Sequence, residues 1–302
     1  MINFQRLDIH NRAQYDEYLM TDAERGCEYS FTNLFLWGRQ KAAFIEGNLA
    51  LLSQFDRRCV YPFPVGPGNK KAVLDSIIHD ARTRGIPCCL TGLMAEDRET
   101  LESLYPGQFR FYTARDNFDY VYNINDLADL KGRKFQKKRN HIHRFWDAHT
   151  DCRVVPLDES NQDAVMEMLN DWYHRRTQAD PTADFHLEQL ALQRAFVFYH
   201  QLGLEGLVLM EGEEVLAFTI GSRLNPTTFD IHFEKAMEDD GAYTAINQEF
   251  ARYLRDKYPQ LRYLNREDDM GLEGLRKAKL SYCPDHMVEK SWARLWEDED
   301  EH

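Results

Sequence analysis

The sequence predicts an α/β (α+β) protein built from two copies of one folding unit, and three observations carry that expectation. A succession of hairpin, strand, helix, strand, helix and strand runs through residues 43–122 and recurs through residues 204–289, the mark of a duplicated unit rather than a short-period solenoid. Between the copies stands KGRKFQKKRNHIHRFW (Lys131–Trp146), with seven Lys or Arg, two His and no acid, in a chain holding 50 Asp and Glu. Near the end, LRYLNREDDMGLEGLRKAKLSYCP (Leu261–Pro284) passes from a strand pattern through five consecutive strongly polar residues into a helix pattern. α/β proteins present ligand-binding groups in this way, at the carboxyl end of a strand.

Taken in order, residues 1–42 read as helical, with Tyr15, Tyr18 and Leu19 on one side, and the aromatics of Ser30–Trp37 belong in a core. Ala43–Ile45 and Leu49–Phe55 flank Glu46-Gly47-Asn48 as a hairpin. Cys59–Phe63 reads as a strand and Lys70–Arg84 as an amphipathic helix ended by Gly85 and Pro87. Cys88–Thr91 reads as a strand, Glu96–Leu104 as a helix, and Phe109–Tyr112 and Phe118–Tyr122 as strands. Asn161–Gln178 and Phe185–Gln201 read as amphipathic helices ahead of the second copy. There Leu204–Met210 and Val215–Ser222 form the hairpin, Thr228–Phe233 a strand, Tyr243–Lys257 a helix, Leu261–Leu264 a strand, Leu272–Lys279 a helix and His286–Glu289 a strand. Cys88–Thr91 and Leu261–Leu264 should then hold the same position in their sheets. The boundaries expected are 1–125 and 148–295 for the two units, 126–147 for a basic linking helix and 296–302 for an acidic disordered tail.

Composition narrows the classes. With 302 residues, 43% hydrophobic and 13% aromatic, the chain can bury two similar cores. No apolar run reaches the ~20 residues that span a bilayer, and the first residues lack the apolar centre of a signal peptide, so a cytoplasmic protein is expected. The six cysteines form no C-x-x-C pair and no zinc spacing, and reduced thiols are expected. No metal site and no tightly bound cofactor are expected, and nothing matches a Walker loop, G-x-S-x-G or H-E-x-x-H. A formal charge of −13 argues against a general nucleic-acid coat. The seven cations of Lys131–Trp146 are the exception: Phe135, Ile142, Phe145 and Trp146 fall near helical spacing, so such a helix can dock on one side and offer phosphate groups a basic face on the other. A solvated helix making surface pairs is the plainer alternative.

LKGRKFQKKRNHIHRF (Leu130–Phe145) and LNREDDMGLEGLRKAKLSY (Leu264–Tyr282) resemble the C-terminal catalytic domain of phosphatidylglycerol lysyltransferases and the uncharacterised proteins grouped with them. The likeness runs from about Phe118 to Glu289. It implies two tandem acyl-CoA N-acyltransferase-like (GNAT-like) units and an acyltransferase. The lysyltransferases, and the Fem-type enzymes that share the doubled fold, draw on aminoacyl-tRNA, so that is the donor and tRNA the partner the resemblance points to. The acceptor stays open among lipid, peptide and small molecule, with peripheral membrane contact as one option. No counterpart of the large membrane domain of the lysyltransferases is expected from these residues, which weakens the case for lipid.

Candidate residues follow. Arg266, Glu267, Asp268 and Lys279 are the catalytic candidates, Glu267 and Asp268 for a donor ammonium and Lys279 as the lysine with no partner at helical spacing. Lys137, Lys138, Arg139, Asn140 and His141 on the basic helix, with Glu234, Arg276 and Lys277, are the donor-binding candidates. Acetyl-CoA is the weaker donor, because Glu238, Asp239 and Asp240 precede Gly241 where acyl-CoA enzymes hold a pyrophosphate at a helix N-terminus. Two other readings stay open: a non-catalytic ligand-binding protein on the same fold, and an acyl-CoA-dependent N-acyltransferase.

Overall fold

The computed structural model describes residues 1–55, 58–237 and 241–296. The acidic triplet Glu238–Asp240 and the expected acidic tail after residue 296 lie outside the described residues. The first part of the chain forms β1 (Gln5–Arg6), α1 (Arg12–Leu19), α2 (Phe31–Trp37), β2 (Gln40–Ile45), β3 (Asn48–Phe55), β4 (Arg58–Pro62), α3 (Lys70–Arg84), β5 (Cys89–Leu93), α4 (Ala95–Leu104) and β6 (Phe109–Thr113). There follow β7 (Asp119–Asn123), α5 (Ile124–Asp129), α6 (Gln136–Ala148), β8 (Cys152–Pro156), α7 (Gln162–Ala179), α8 (His186–Val197), β9 (Glu205–Glu211), β10 (Glu214–Arg223) and β11 (Thr228–Ala236). The chain continues through α9 (Ala242–Lys257), β12 (Tyr263–Asn265), α10 (Glu273–Leu280), β13 (His286–Val288) and β14 (Ser291–Leu295).

Two seven-stranded sheets result, in the orders β1-β2-β3-β4-β5-β14-β6 and β8-β9-β10-β11-β12-β7-β13. In each sheet the fourth and fifth strands are parallel, β4 with β5 and β11 with β12, and the hairpins beside them are antiparallel. β5 and β12 therefore occupy the same fifth position, as the element order requires. The sixth position is where expectation and structure part. β14, last in sequence, pairs antiparallel with β5 and β6 in the first sheet, and β7, which follows β6, pairs with β12 in the second.

The compact units are accordingly interleaved rather than contiguous. One comprises Met1–Asp119, Asp268–Leu272 and the chain from Met287 onwards; the other comprises Tyr120–Glu267 and Glu273–His286. This corrects the boundaries 1–125 and 148–295. It also places residues 126–147 inside the second unit instead of in a linker, because α6 docks there through Ile142 and Phe145, both buried.

In the first unit α3 and α4 cover one face of the sheet. Val73, Leu74, Ile77 and Leu101 pack on Leu90, Leu93, Ala293 and Leu295, and each such large side chain contributes about 1.5–3 kcal/mol when withdrawn from water. α3 starts where Asn69 accepts the Ala72 N–H and stops where Gly85 takes φ 67°, a left-handed turn that favours glycine. In the second unit α9 packs along α5, and its Gln248 and Arg252 donate to the Ala128 carbonyl near the end of α5. Those bonds satisfy backbone that the helix cannot satisfy itself.

Candidate functional site

The polar centre of the second unit grows from β11 and the chain leaving β12. In TFDIHFEKA, the sequence of β11, Asp230, His232 and Glu234 alternate with Phe229, Ile231 and Phe233. β12 runs parallel beside it, Asp230 standing opposite Asn265, so the residues that follow, Arg266 and Glu267, emerge next to His232 and Glu234.

Arg266 is buried, and its guanidinium donates to Glu234 Oε1 at 2.8 Å and to the Tyr243 hydroxyl at 2.6 Å. It also lies 4.9–5.6 Å from the ring centres of Tyr282, Tyr122 and Tyr243. Asn247 donates to the same Glu234 carboxylate at 3.4 Å. Burial opposes the charge on Arg266, but Tyr243, Glu234, Tyr122 and Tyr282 outweigh it and hold the group firmly protonated. Burial likewise pushes the Tyr122 and Tyr243 hydroxyls well above their ordinary range. Arg266 is thus a fixed positive charge inside a tyrosine cage.

Glu267 follows with φ 55°, an uncommon conformation for a side-chain-bearing residue. Three bonds hold it there: its N–H donates to Asn265 Oδ1 at 2.7 Å, and its carbonyl accepts from the Tyr120 N–H and the Lys279 ammonium. Lys279 is buried and also donates to the Arg266 carbonyl. Lys279, which has no partner at helical spacing, is thus held from elsewhere in the chain. Its partners are main-chain carbonyls of a distant turn, which helical spacing cannot reveal. Lys277, two residues away, is exposed, and Arg276 is half-buried.

The basic helix is divided in its uses. Arg139 donates to the carbonyls of Leu130 and Gly132 at 2.5 and 2.8 Å, which ties it to the preceding turn. Lys138 sits 3.6 Å from the centre of the Tyr282 ring. Desolvation, with Arg266 nearby, lowers its ammonium to about 8. Lys137 and Asn140 are exposed, and His141 is half-buried. α6 also covers the start of α9: a Cβ on Gly241 would fall 2.5 Å from the His141 carbonyl oxygen and 2.9 Å from Phe145 Cβ.

Asp268 is assigned to the first unit, whereas Arg266, Glu267 and Lys279 are assigned to the second. There it accepts the Met270 N–H at 3.1 Å and lines a cavity of about 840 Å³. Phe55, Tyr112 and Trp292 form apolar walls, with Tyr112 and Trp292 stacked 4.4 Å apart. Glu28 and Lys290 also line it. Lys290 donates to Asp119 Oδ1 at 2.7 Å and to Glu28 Oε2 at 2.9 Å, while the Cys27 N–H donates to Asp119 Oδ2 at 2.7 Å. Sequence reasoning missed this cluster, whose members are scattered along the chain. It also missed Asp230, His232 and the tyrosine cage, although the alternation in β11 is a local signal that could have drawn attention to the first two.

The sequence matches the model of the family described as phosphatidylglycerol lysyltransferase, C-terminal, over residues 21–294. A conserved protein of unknown function from Bacteroides thetaiotaomicron is similar in structure, with 37% identity and a TM-score of 0.92 over 98% of this chain and 100% of that one. The L-PGS of Bacillus licheniformis shares the fold at 14% identity and a TM-score of 0.70, over 98% of this chain and 94% of that one. An uncharacterised protein of Mycoplasmoides gallisepticum is 25% identical over 177 residues, 57% of this chain and 54% of that protein. The aligned stretch thus spans about half the length of that curated relative. The two sheets are those of tandem GNAT-like acyltransferase folds. Among the described residues no helix is long and apolar enough to cross a membrane.

Proposed function

Since the chain belongs to the phosphatidylglycerol lysyltransferase C-terminal family, we propose that it transfers an aminoacyl group from aminoacyl-tRNA to a lipid, peptide or small-molecule acceptor. The observation that carries this reading is the seat of α6 on the first turn of α9. That turn is where an acyl-CoA enzyme would hold pyrophosphate, and here a basic helix covers it. A donor that meets cations on α6 fits this arrangement better than CoA. Lys137 and Lys138 would meet phosphates of the tRNA acceptor end, and the fixed charge of Arg266 would favour negative charge developing on the ester carbonyl oxygen. In the reaction an acceptor hydroxyl or amine forms the new bond to the carbonyl carbon. The ester bond to the terminal ribose breaks, and the ribose oxygen leaves with the acceptor's proton. The ester is already activated, so positioning is the main demand. A cytoplasmic location goes with such a donor.

The test is a transfer assay with a pool of radiolabelled aminoacyl-tRNA, supplied with phosphatidylglycerol vesicles or with a small-molecule and peptide extract. Label should move from tRNA into one of those fractions, and Lys137→Ala with Lys138→Ala should weaken tRNA binding and flatten its salt dependence. No protein-dependent loss of label from any tRNA would refute the donor. Non-catalytic ligand binding is a second reading, favoured by the cavity of about 840 Å³ in the first unit. Mass spectrometry of a co-purified small molecule would support it.

A further inference from the structure

We propose that Asp230, His232 and Glu267 form a binding site for one divalent transition-metal ion, Zn²⁺ or Mn²⁺, independent of the aminoacyl-transfer reading. One ligand atom from each residue lies within 4.8 Å of the other two. His232 Nδ1 stands 3.5 Å from Asp230 Oδ2 and 3.6 Å from Glu267 Oε1. These separations are long for hydrogen bonds. They match the ~3.4 Å between ligand atoms around one tetrahedral ion with bonds of about 2.1 Å.

The imidazole is the decisive group. Its side chain is 2% exposed, and Nδ1 makes no hydrogen bond. Nε2 lies 2.8 Å from the hydroxyl of buried Ser222. With Nε2–H donating to Ser222, Nδ1 carries its lone pair toward the two carboxylates, the tautomer a metal requires. The backbone aims the ring there. Between β10 and β11, Ile220 pairs with Phe233 and Gly221 with Ile231, so His232 is the extra residue of a bulge, a device that redirects a side chain. Gly221 permits it, since a Cβ there would fall 2.2 Å from the Asp230 carbonyl oxygen. Glu267 is fixed by the three backbone bonds already described, and its side chain is 24% exposed, leaving room for water to complete the coordination. One imidazole and two carboxylates suit Zn²⁺ or Mn²⁺ better than Ca²⁺, which takes oxygen ligands only. Sequence spacing hides the site because Glu267 lies far along the chain from Asp230-x-His232.

The test uses the untagged full chain, stripped with chelator and titrated calorimetrically with ZnCl₂ and with MnCl₂, with bound metal counted by elemental analysis. One equivalent should bind. Glu267→Gln, the most exposed ligand and the one least expected to disturb folding, should abolish stoichiometric binding. Ser222→Ala should weaken it about 10- to 100-fold, as loss of an outer-shell partner does. Cys27→Ser, in the first unit, should leave it unchanged. Failure of the wild-type chain to bind either ion would overturn the proposal. Binding that survives Glu267→Gln, or that disappears in Cys27→Ser, would also overturn it by placing the metal elsewhere.

Discussion

Each unit gathers two carboxylates around a third polar group, and the two gatherings are completed differently. In the first, the Lys290 ammonium sits on Asp119 and Glu28 at 2.7 and 2.9 Å. In the second, Asp230 and Glu267 converge on the His232 ring at 3.5 and 3.6 Å. A lysine brings a compact permanent charge that neutralises the acids in place. An imidazole brings a lone pair, or a proton only when conditions supply one. Both units thus hold paired acids, though at positions that the repeat does not equate, and the identity of the third group separates a strut from the proposed ligand site.

Removing Lys290 should give the largest effect. Asp119 is fully buried, and Lys290→Met would take away the cation beside it and Glu28 while the Cys27 N–H bond remains, at a loss of roughly 3–5 kcal/mol of stability. Urea denaturation measures the loss, and Asp119→Asn added to Lys290→Met should recover part of it. Burial works against the Lys290 charge, but Asp119 and Glu28 raise its pKa well above the usual 10.5. The stability it supplies is therefore complete below pH 10.5 and disappears as pH climbs through the raised value. If Lys290→Met unfolds at the wild-type urea concentration, the strut interpretation fails.

Lys279→Ala should come next, with a loss of about 1–3 kcal/mol, because it withdraws a donor from two carbonyls at the exit of β12. Lys277→Ala should stay within about 0.5 kcal/mol. Equal melting temperatures for the two variants would return Lys279 to the reactive groups suggested by its spacing. The smallest effect concerns Lys138. Because desolvation lowers its ammonium to about 8, affinity for a short RNA should fall several-fold between pH 7 and 9 as the charge is lost. Lys138→Arg should remove that dependence, and a pH-independent wild type would contradict it. The lowered value also implies that the folded chain binds fewer protons here than the unfolded one between pH 8 and 10.5, so this group makes stability rise with pH in that window.

Local pattern revealed most of the elements. Lys70–Arg84 is the helix that its caps announce, and β5 and β12 share a sheet position as the element order implies. The exchange of β7 and β14 was not legible, because strand periodicity specifies which face is buried and not which sheet receives the strand. β14 itself hides in SWARL next to an acidic run, yet Ala293 and Leu295 are buried in the core. α10 shows why the site was read only in part. Its buried residue is Lys279, while Leu280 is 47% exposed. A polar backbone turn, rather than an apolar groove, receives the helix, and this reverses the usual rule that leucines face inward.

The late arrival of β14 also has a consequence during synthesis. The slot between β5 and β6 can be filled only after Ser291 is made, although its neighbour across the sheet, Thr113, is 178 residues earlier. At typical elongation rates of 5–20 residues per second, the nascent first sheet waits roughly 10 to 35 s with two unpaired strand edges. Throughout that interval those edges can pair with other strands. A stalled or truncated product would therefore be a substrate for chaperones or proteases, even where every residue of the first sheet except its last strand has been made.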